Sequence, residues 1–216
     1  MDDQELDPTQ VKEALIDFVV DDYKIVKALG AGAFGAAFEA EHIKNKTKAC
    51  IKVALGSNRN LRFEAATMQR LVDYQRKHRT RHLCRIYENG ELNLVTDKVT
   101  LKNAYITMEF APGNMVGHIA QFYGYDFLIT GCDLALKTLN GLYNLHSLGI
   151  IHRDFKAENV GMRNDRTPVI LDFGLARIVS DRQGNLRNAR SKVAPRGTSE
   201  WASWKSEMGF EQAWLI

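Results

Sequence analysis

The sequence predicts an α+β fold in two parts, a strand-rich first half followed by a mainly helical second half. Three observations carry that expectation. Short alternating segments crowd residues 21–53, a helical period takes over at 60–78, and a second helical period runs up to Gly149.

Taken in order, residues 1–20 read as a leader helix, and Asp21–Asp22 marks its end. Tyr23–Leu29, Ala36–Glu41 and Lys48–Val53 read as successive strands, separated by a glycine cluster and the polar turn Lys44–Thr47. Over Asn60–His78, Leu61, Ala65, Met68 and Leu71 recur at helical steps with charges on the other face. Glu91–Val95 and Ala104–Phe110 read as strands, and Ala111-Pro112-Gly113 closes the first half. Beyond it, Ala135, Leu139, Leu142 and Leu145 mark the apolar face of a helix that stops at Gly149. Strand-like Ile150–Val160 and Pro168–Asp172 precede a polar, basic loop. The expected organisation is a leader at 1–20, a β-rich part with its connector at 21–112, and a helical part at 113–216.

With 216 residues, 45% of them hydrophobic and 25% charged, the composition is that of an ordinary globular protein. No apolar run nears the roughly 18 residues that a membrane span needs, and Asp17 interrupts Leu15–Val20. Met1–Asp7 is acidic and lacks the apolar stretch of a secretory signal. Cys50, Cys84 and Cys132 lie too far apart for paired metal ligation and suit reduced thiols. These features lead to the expectation of an intracellular protein, cytoplasmic or nuclear or both, with no membrane partner. The net charge is +3, but Arg177–Lys205 carries seven Lys/Arg against Asp181 and Glu200, and Arg70–Arg85 carries six against Asp73. A solvated surface is the default reading of such runs, and attraction of acidic or phosphorylated substrates is the functional one. Nucleic acid is not expected, because no stacking aromatics interleave with the basic residues. Oligomeric state is not legible.

Four strings carry chemistry. Gly30-Ala-Gly32-Ala-Phe34-Gly35 lies between two predicted strands, where glycines let backbone N–H groups close on phosphate oxygens. A dinucleotide site would instead open a helix at this point. Ala49-Cys-Ile-Lys52 sets one lysine near a strand end, with alternation that permits either orientation. Glu64 shares a helix face with Leu61 and Met68, so the face points inward and the carboxylate needs a partner; Lys52 is the natural one. In His152-Arg-Asp154-Phe-Lys156-Ala-Glu-Asn159, Asp154 is suited to accept a hydrogen bond from an incoming hydroxyl, Lys156 to neutralise a phosphoryl group, and Asn159 to bind a metal. Asp172-Phe-Gly174, at a strand end, is suited to hold Mg²⁺. Any one string is ordinary loop chemistry on its own; their joint order is not easily due to chance.

That ordered set, from about Val20 to Met208, resembles a protein kinase. The resemblance implies a two-lobed protein-kinase-like fold with a β-rich N-lobe and a helical C-lobe. It implies a serine/threonine kinase using ATP and Mg²⁺ on protein substrates, since Lys156 lies two places after Asp154. Asp154, Lys156, Lys52 and Glu64 would be catalytic, and Asn159 and Asp172 would hold metal. Gly30, Gly32, Phe34, Gly35, Ala49 and Lys52 would contact the nucleotide, with Met108 as gatekeeper and Glu109, Phe110 and on to Pro112 as the hinge. Leu171-Asp-Phe-Gly-Leu-Ala-Arg177 and Arg196-Gly-Thr198-Ser-Glu-Trp-Ala-Ser203 resemble the casein kinase 1 group and its tau-tubulin kinase relatives. In that branch Thr198 would support the catalytic loop through its hydroxyl. Arg187, Arg190 and Arg196 would form an anion site for acidic or primed substrates, with plain loop solubility as the alternative.

Two departures qualify the resemblance. The family continues with further helices, whereas this chain diverges over Phe210–Ile216, so the helical lobe is expected to be incomplete, as in a truncated isoform, a shortened gene product or a gene-model fragment. Ala37 and Gly161 stand where larger apolar residues pack on adenine, a loss worth on the order of 1–3 kcal/mol of nucleotide affinity. The rival expectation is therefore a catalytically weak or inactive kinase-like binding module.

Overall fold

A computed structural model describes residues 8–32, 35–55, 58–78, 80–95, 100–181, 183–190 and 192–211. The chain divides into two compact units, Met1–Ala66 with Arg85–Phe110, and Thr67–Cys84 with Ala111–Ile216.

In the first unit α1 (Pro8–Leu15) and β1 (Val19–Val20) lead into β2 (Tyr23–Gly32), β3 (Gly35–His42) and β4 (Lys48–Val53). α2 (Asn58–Gln75) begins in this unit and ends in the second, and β5 (Ile86–Val95) and β6 (Thr100–Glu109) follow in the first. The six strands form one antiparallel sheet in the order β1-β2-β3-β4-β6-β5. Alternation explains its faces: Ala36, Phe38 and Ala40 of β3 and Ala49, Ile51 and Val53 of β4 are fully buried. Val11 and Leu15 of α1 pack into the same cluster with Ile25, Phe38, Ile51, Val53, Leu92, Leu94 and Tyr105. Burial of each large side chain there contributes about 1.5–3 kcal/mol, and Phe38→Ala would cost about 3–5 kcal/mol. β5 starts well before the expected Glu91, because polar Glu88, Asn89 and Gly90 and a bulge between Ile86 and Glu88 mask its alternation.

In the second unit β7 (Gly113–Asn114) and α3 (Met115–Ile119) precede the long α4 (Gly124–Ser147). The Asn114 side chain caps α3 by accepting from the Gly117 amide at 2.8 Å. β8 (Ile150–Ile151), β9 (Val160–Met162), β10 (Pro168–Ile170), β11 (Arg177–Ile178) and α5 (Trp204–Glu207) complete it. β10, β9 and β7 form one small sheet, and β11 pairs with β8 in another.

Helix α4 corrects the expected face. Its buried residues are Leu134, Thr138, Gly141 and Leu145, whereas Ala135 and Leu139 are exposed. The helix is apolar on several sides, so periodicity alone does not choose among them. Close approach does: a Cβ at Gly141 would sit 2.9 Å from the His82 carbonyl oxygen and 3.0 Å from Ile170. Leu128, Ile129, Leu136, Leu139 and Tyr143 are more than half exposed.

Candidate active site

Each unit carries a cluster of the motif residues. In the first, the β2–β3 hairpin brings Gly30 opposite Ala37 and Gly32 opposite Gly35. Gly35 has φ 149°, and a Cβ there would lie 2.3 Å from the Val53 carbonyl oxygen, so only glycine fits. Gly30 meets no such limit, since a Cβ on it would face open space. Phe34 lies outside the described residues.

β4 settles the orientation that alternation left open. Ile51 and Val53 point into the core, which turns Lys52 to the opposite face of the strand. There its Nζ donates to both carboxylate oxygens of Glu64, at 3.0 and 2.9 Å. The Glu64 side chain is fully buried and that of Lys52 is 13% exposed. Glu64 and Met68 are buried along α2 as expected; the side chain of Leu61 lies outside the described residues. Ala49 is buried opposite Glu109, and Met108 is buried opposite Cys50. The Glu109 carboxylate accepts from the Arg85 amide at 3.2 Å, and the Lys48 ammonium lies 5.7 Å from the Phe110 ring centre.

In the second unit the loop between β8 and β9 is built around Asp154. Its Oδ1 accepts from the Thr198 amide at 2.7 Å and the Thr198 hydroxyl at 2.8 Å. Its Oδ2 accepts from the Asn159 side-chain Nδ2 at 3.1 Å, and that nitrogen also donates to the Asp154 carbonyl at 2.8 Å. The Lys156 ammonium lies 3.6 Å from Oδ2 and donates to the Thr198 hydroxyl oxygen at 2.6 Å. This approach needs Gly197, whose φ is 95° and whose Cβ would fall 2.5 Å from the Arg153 carbonyl oxygen.

Burial works to raise the Asp154 carboxyl, but the Thr198 hydroxyl and amide, Lys156 and Asn159 outweigh it and hold it below the usual range. His152 organises the loop from beneath. Burial lowers its pKa against the Leu171 carbonyl, Asp172 and Asp154, so the ring is neutral. Its Nε2 then donates to the Leu171 carbonyl at 2.8 Å, and Nδ1 accepts from the Asp154 amide at 3.3 Å. Arg153, at φ 65°, donates to the Leu175 carbonyl at 2.6 Å. Asp172, at φ 56°, follows Leu171, whose amide donates to the Asn159 carbonyl at 2.9 Å. Asp172 Oδ1 accepts from the Gly174 amide at 3.3 Å.

The donor set suits a hard cation. Both Asn159 amide hydrogens turn toward Asp154, which leaves its oxygen facing away, and Asp172 offers carboxylate oxygens. Among the described residues, no group of three or more His, Cys, Asp or Glu side chains is placed to hold a metal.

The expected thinning at Gly161 needs correction. A Cβ at this position would meet Ala111 at 2.6 Å and Leu171 at 2.7 Å, so the space a larger residue would use is already filled. Sequence reasoning also passed over Arg70, Arg153 and Glu211. Arg70 donates to the Ser180 hydroxyl at 2.9 Å and to the carbonyls of Ser180 and Asp181 at 3.3 and 3.2 Å. These residues lack a local signature because their partners are distant in sequence. Among the described residues, no helix is long and apolar enough to cross a membrane.

Known proteins match this chain over the stretch that holds these residues. The family model described as "Protein kinase domain" matches residues 23–203. A probable serine/threonine-protein kinase of Dictyostelium discoideum is 29% identical over 86% of this chain and 36% of its own length. Human testis-specific serine/threonine-protein kinase 4 is 28% identical over 74% of this chain and 47% of its own. Human cyclin-dependent kinase 9 is 28% identical over 74% of this chain and 43% of its own. The chain thus spans less than half the length of these relatives. The family match covers the glycine hairpin, the Lys52–Glu64 pair and the Asp154 network in a single stretch, and the chain therefore belongs to the protein kinase family.

Proposed function

We propose that this chain is a serine/threonine protein kinase domain that moves the γ-phosphoryl group of ATP to a protein hydroxyl. The Asp154 network is the observation that carries this reading: an ionised, doubly fixed carboxylate with a lysine beside it. In it, Asp154 accepts a hydrogen bond from the substrate hydroxyl and aims its oxygen in line. Lys156 offsets charge on the phosphoryl group during transfer, and Thr198 keeps the two side chains apart yet adjacent. Lys52, fixed by Glu64, contacts the phosphates, and the backbone amides at Gly30, Gly32 and Gly35, with Phe34, close over them. Ala49, Met108, Glu109 and Phe110 border the adenine. Asn159 and Asp172 would hold Mg²⁺, which neutralises charge on the β- and γ-phosphates when bound.

Within the family we place the chain in the casein kinase 1 group, near the tau-tubulin kinase branch. The Arg196-Gly197-Thr198 string supports this, since Gly197 admits the Arg153 carbonyl and Thr198 reaches Asp154. Protein substrates with acidic or pre-phosphorylated side chains suit Arg187 and Arg196, for which the described residues provide no salt-bridge partner; Arg190 is already engaged by Glu211. An intracellular site of action fits Cys50, Cys84 and Cys132, none of which is in a disulfide.

The test is transfer of labelled phosphate from Mg-ATP to serine, threonine and tyrosine peptides, with and without acidic or phosphorylated neighbours. Transfer to serine or threonine that drops by about a hundredfold or more in Asp154→Asn supports the reading. Transfer that is indifferent to Asp154, or absent in a folded chain that still binds Mg-ATP, refutes it.

A further inference from the structure

Around α3 two primary amides are each half used. The Gly117 amide donates to Asn114 Oδ1 at 2.8 Å, and Gln121 Nε2 donates to the Gly117 carbonyl at 3.0 Å. A primary amide has a donor end and an acceptor end. One glycine therefore anchors both side chains, and in opposite senses. Asn114 keeps its Nδ2 donor and Gln121 its Oε1 acceptor, and among the described residues neither end bonds the protein. Gly117 is not forced by packing: a Cβ there would come no nearer than 3.4 Å to any group, and that group is Asn114 Oδ1. A glycine in a helix is unfavourable beside alanine, so what it provides here is space.

That space is a pocket of about 410 Å³ lined by Gly117, His118, Gln121, Met162 and Arg163 among others, all within the second unit. The volume is that of a ligand site. Met162 is buried and gives an apolar wall, whereas Asn114, Gly117 and Gln121 are exposed, which leaves the pocket open along α3. Beside it β7 is the edge strand of the sheet β10-β9-β7. An open trough beside an edge strand, with an anchored donor and an anchored acceptor, suits an extended polypeptide better than an enclosed small molecule. The rim formed by the β9–β10 turn is basic. The Arg163 guanidinium donates to the Arg81 carbonyl, and the Arg166 amide donates to the Arg163 carbonyl at 2.9 Å. Against these three arginines stands Asp165, whose carboxylate already lies 3.8 Å from Arg81. The excess of positive charge selects an acidic partner.

We infer that this pocket docks an extended, acidic segment of a partner protein. Asn114 donates to a peptide carbonyl and Gln121 accepts from a peptide N–H. An aliphatic side chain lies against Met162, and carboxylates meet Arg163. The pocket includes neither the Lys52–Glu64 pair nor the Asp154 network, so the inference stands or falls apart from the kinase reading.

The experiment titrates the full chain with a fluorescein-labelled peptide, Glu-Asp-Leu-Glu-Ala-Glu, which has no hydroxyl to phosphorylate, and reads anisotropy. Binding should saturate and should weaken as salt rises. Replacing the leucine by serine should weaken it about tenfold, and so should Gly117→Leu, which fills the trough from a helical position. Gln121→Ala, at an exposed site, gives a second, milder loss in case Gly117→Leu disturbs α3. The basic peptide Lys-Lys-Leu-Lys-Ala-Lys should bind Arg163→Glu more tightly than wild type. Undiminished binding of the acidic peptide in both Gly117→Leu and Gln121→Ala, or equal binding of the acidic and basic peptides to wild type, would overturn the proposal. Failure of the acidic peptide to bind would overturn it too; if N-acetyl-leucine amide then shifts the Gly117 amide signal in NMR spectra, the pocket belongs to a small molecule instead.

Discussion

Thr198 gives both its amide and its hydroxyl to one oxygen of Asp154, at 2.7 and 2.8 Å, and its hydroxyl oxygen accepts from Lys156 at 2.6 Å. A single residue thus aims the carboxylate through its amide and its hydroxyl, and the hydroxyl also links the carboxylate to the ammonium.

Thr198→Ala should separate these two contributions, because the amide bond survives the substitution. A hydrogen bond to a charged group is worth about 1.5–3 kcal/mol, so kcat should fall by roughly ten- to a hundredfold. Peptide KM should change little, and Thr198→Ser should recover most of the rate. The Asp154 carboxyl loses one of the donors that hold it down, so the acidic limb of the kcat/KM profile should move to higher pH. Equal rates for the alanine and serine variants would show that the hydroxyl is not what positions Asp154.

The Lys52–Glu64 pair should be costly to break and less costly to replace. With Glu64 fully buried, Lys52→Met removes the ammonium that donates to both of its carboxylate oxygens and should destabilise by about 3–5 kcal/mol. The double variant Lys52→Met, Glu64→Leu should recover much of that in urea unfolding while failing to bind Mg-ATP. A double variant as unstable as the sum of the singles would mean the two side chains contribute separately.

Gly161 offers a test in which the apparent repair is harmful. Restoring a large apolar side chain would drive its Cβ into Ala111 and Leu171, at 2.6 and 2.7 Å. Gly161→Leu should therefore lower stability by about 1–3 kcal/mol and weaken, not strengthen, nucleotide affinity. Calorimetric titration with Mg-ATP beside a thermal scan reads both. Tighter binding with unchanged stability would mean that Leu171 moves aside freely.

What could be read from the sequence follows from how local each signal is. The strand Lys48–Val53 was legible in full because its alternation is set by its own residues. Glu64 pointed to Lys52 because a buried carboxylate demands a cation and the helix face was readable. The loop from His152 to Asn159 was legible as chemistry, yet the bond from Thr198 across 44 positions was reached only through resemblance. Glu211 was missed for the same reason: its partners lie 21 and more positions away, and its neighbours in sequence carry no pattern. The face of α4 was misread because leucines surround the helix, and Gly141 marks the packed side by what it lacks.

His152 should give folding stability a pH dependence of known sign. Burial holds its folded-state pKa below the ordinary 6.5, so the unfolded chain takes up a proton that the folded chain refuses. Its contribution is complete above 6.5 and shrinks as pH falls from there toward the folded-state pKa. One proton limits the slope to about 1.4 kcal/mol per pH unit. His146 shifts in the same direction, through its own burial and the nearby His152, so it needs its own control. Urea unfolding from about pH 5 to pH 7.5 should show a slope that is reduced in His152→Asn and reduced less in His146→Asn. Asp154, held low, acts with the same sign but only at more acidic pH, outside this window. A slope that persists in His152→Asn and disappears in His146→Asn would assign the proton to the wrong side of the loop, and with it the neutral tautomer that links Leu171 to the Asp154 amide.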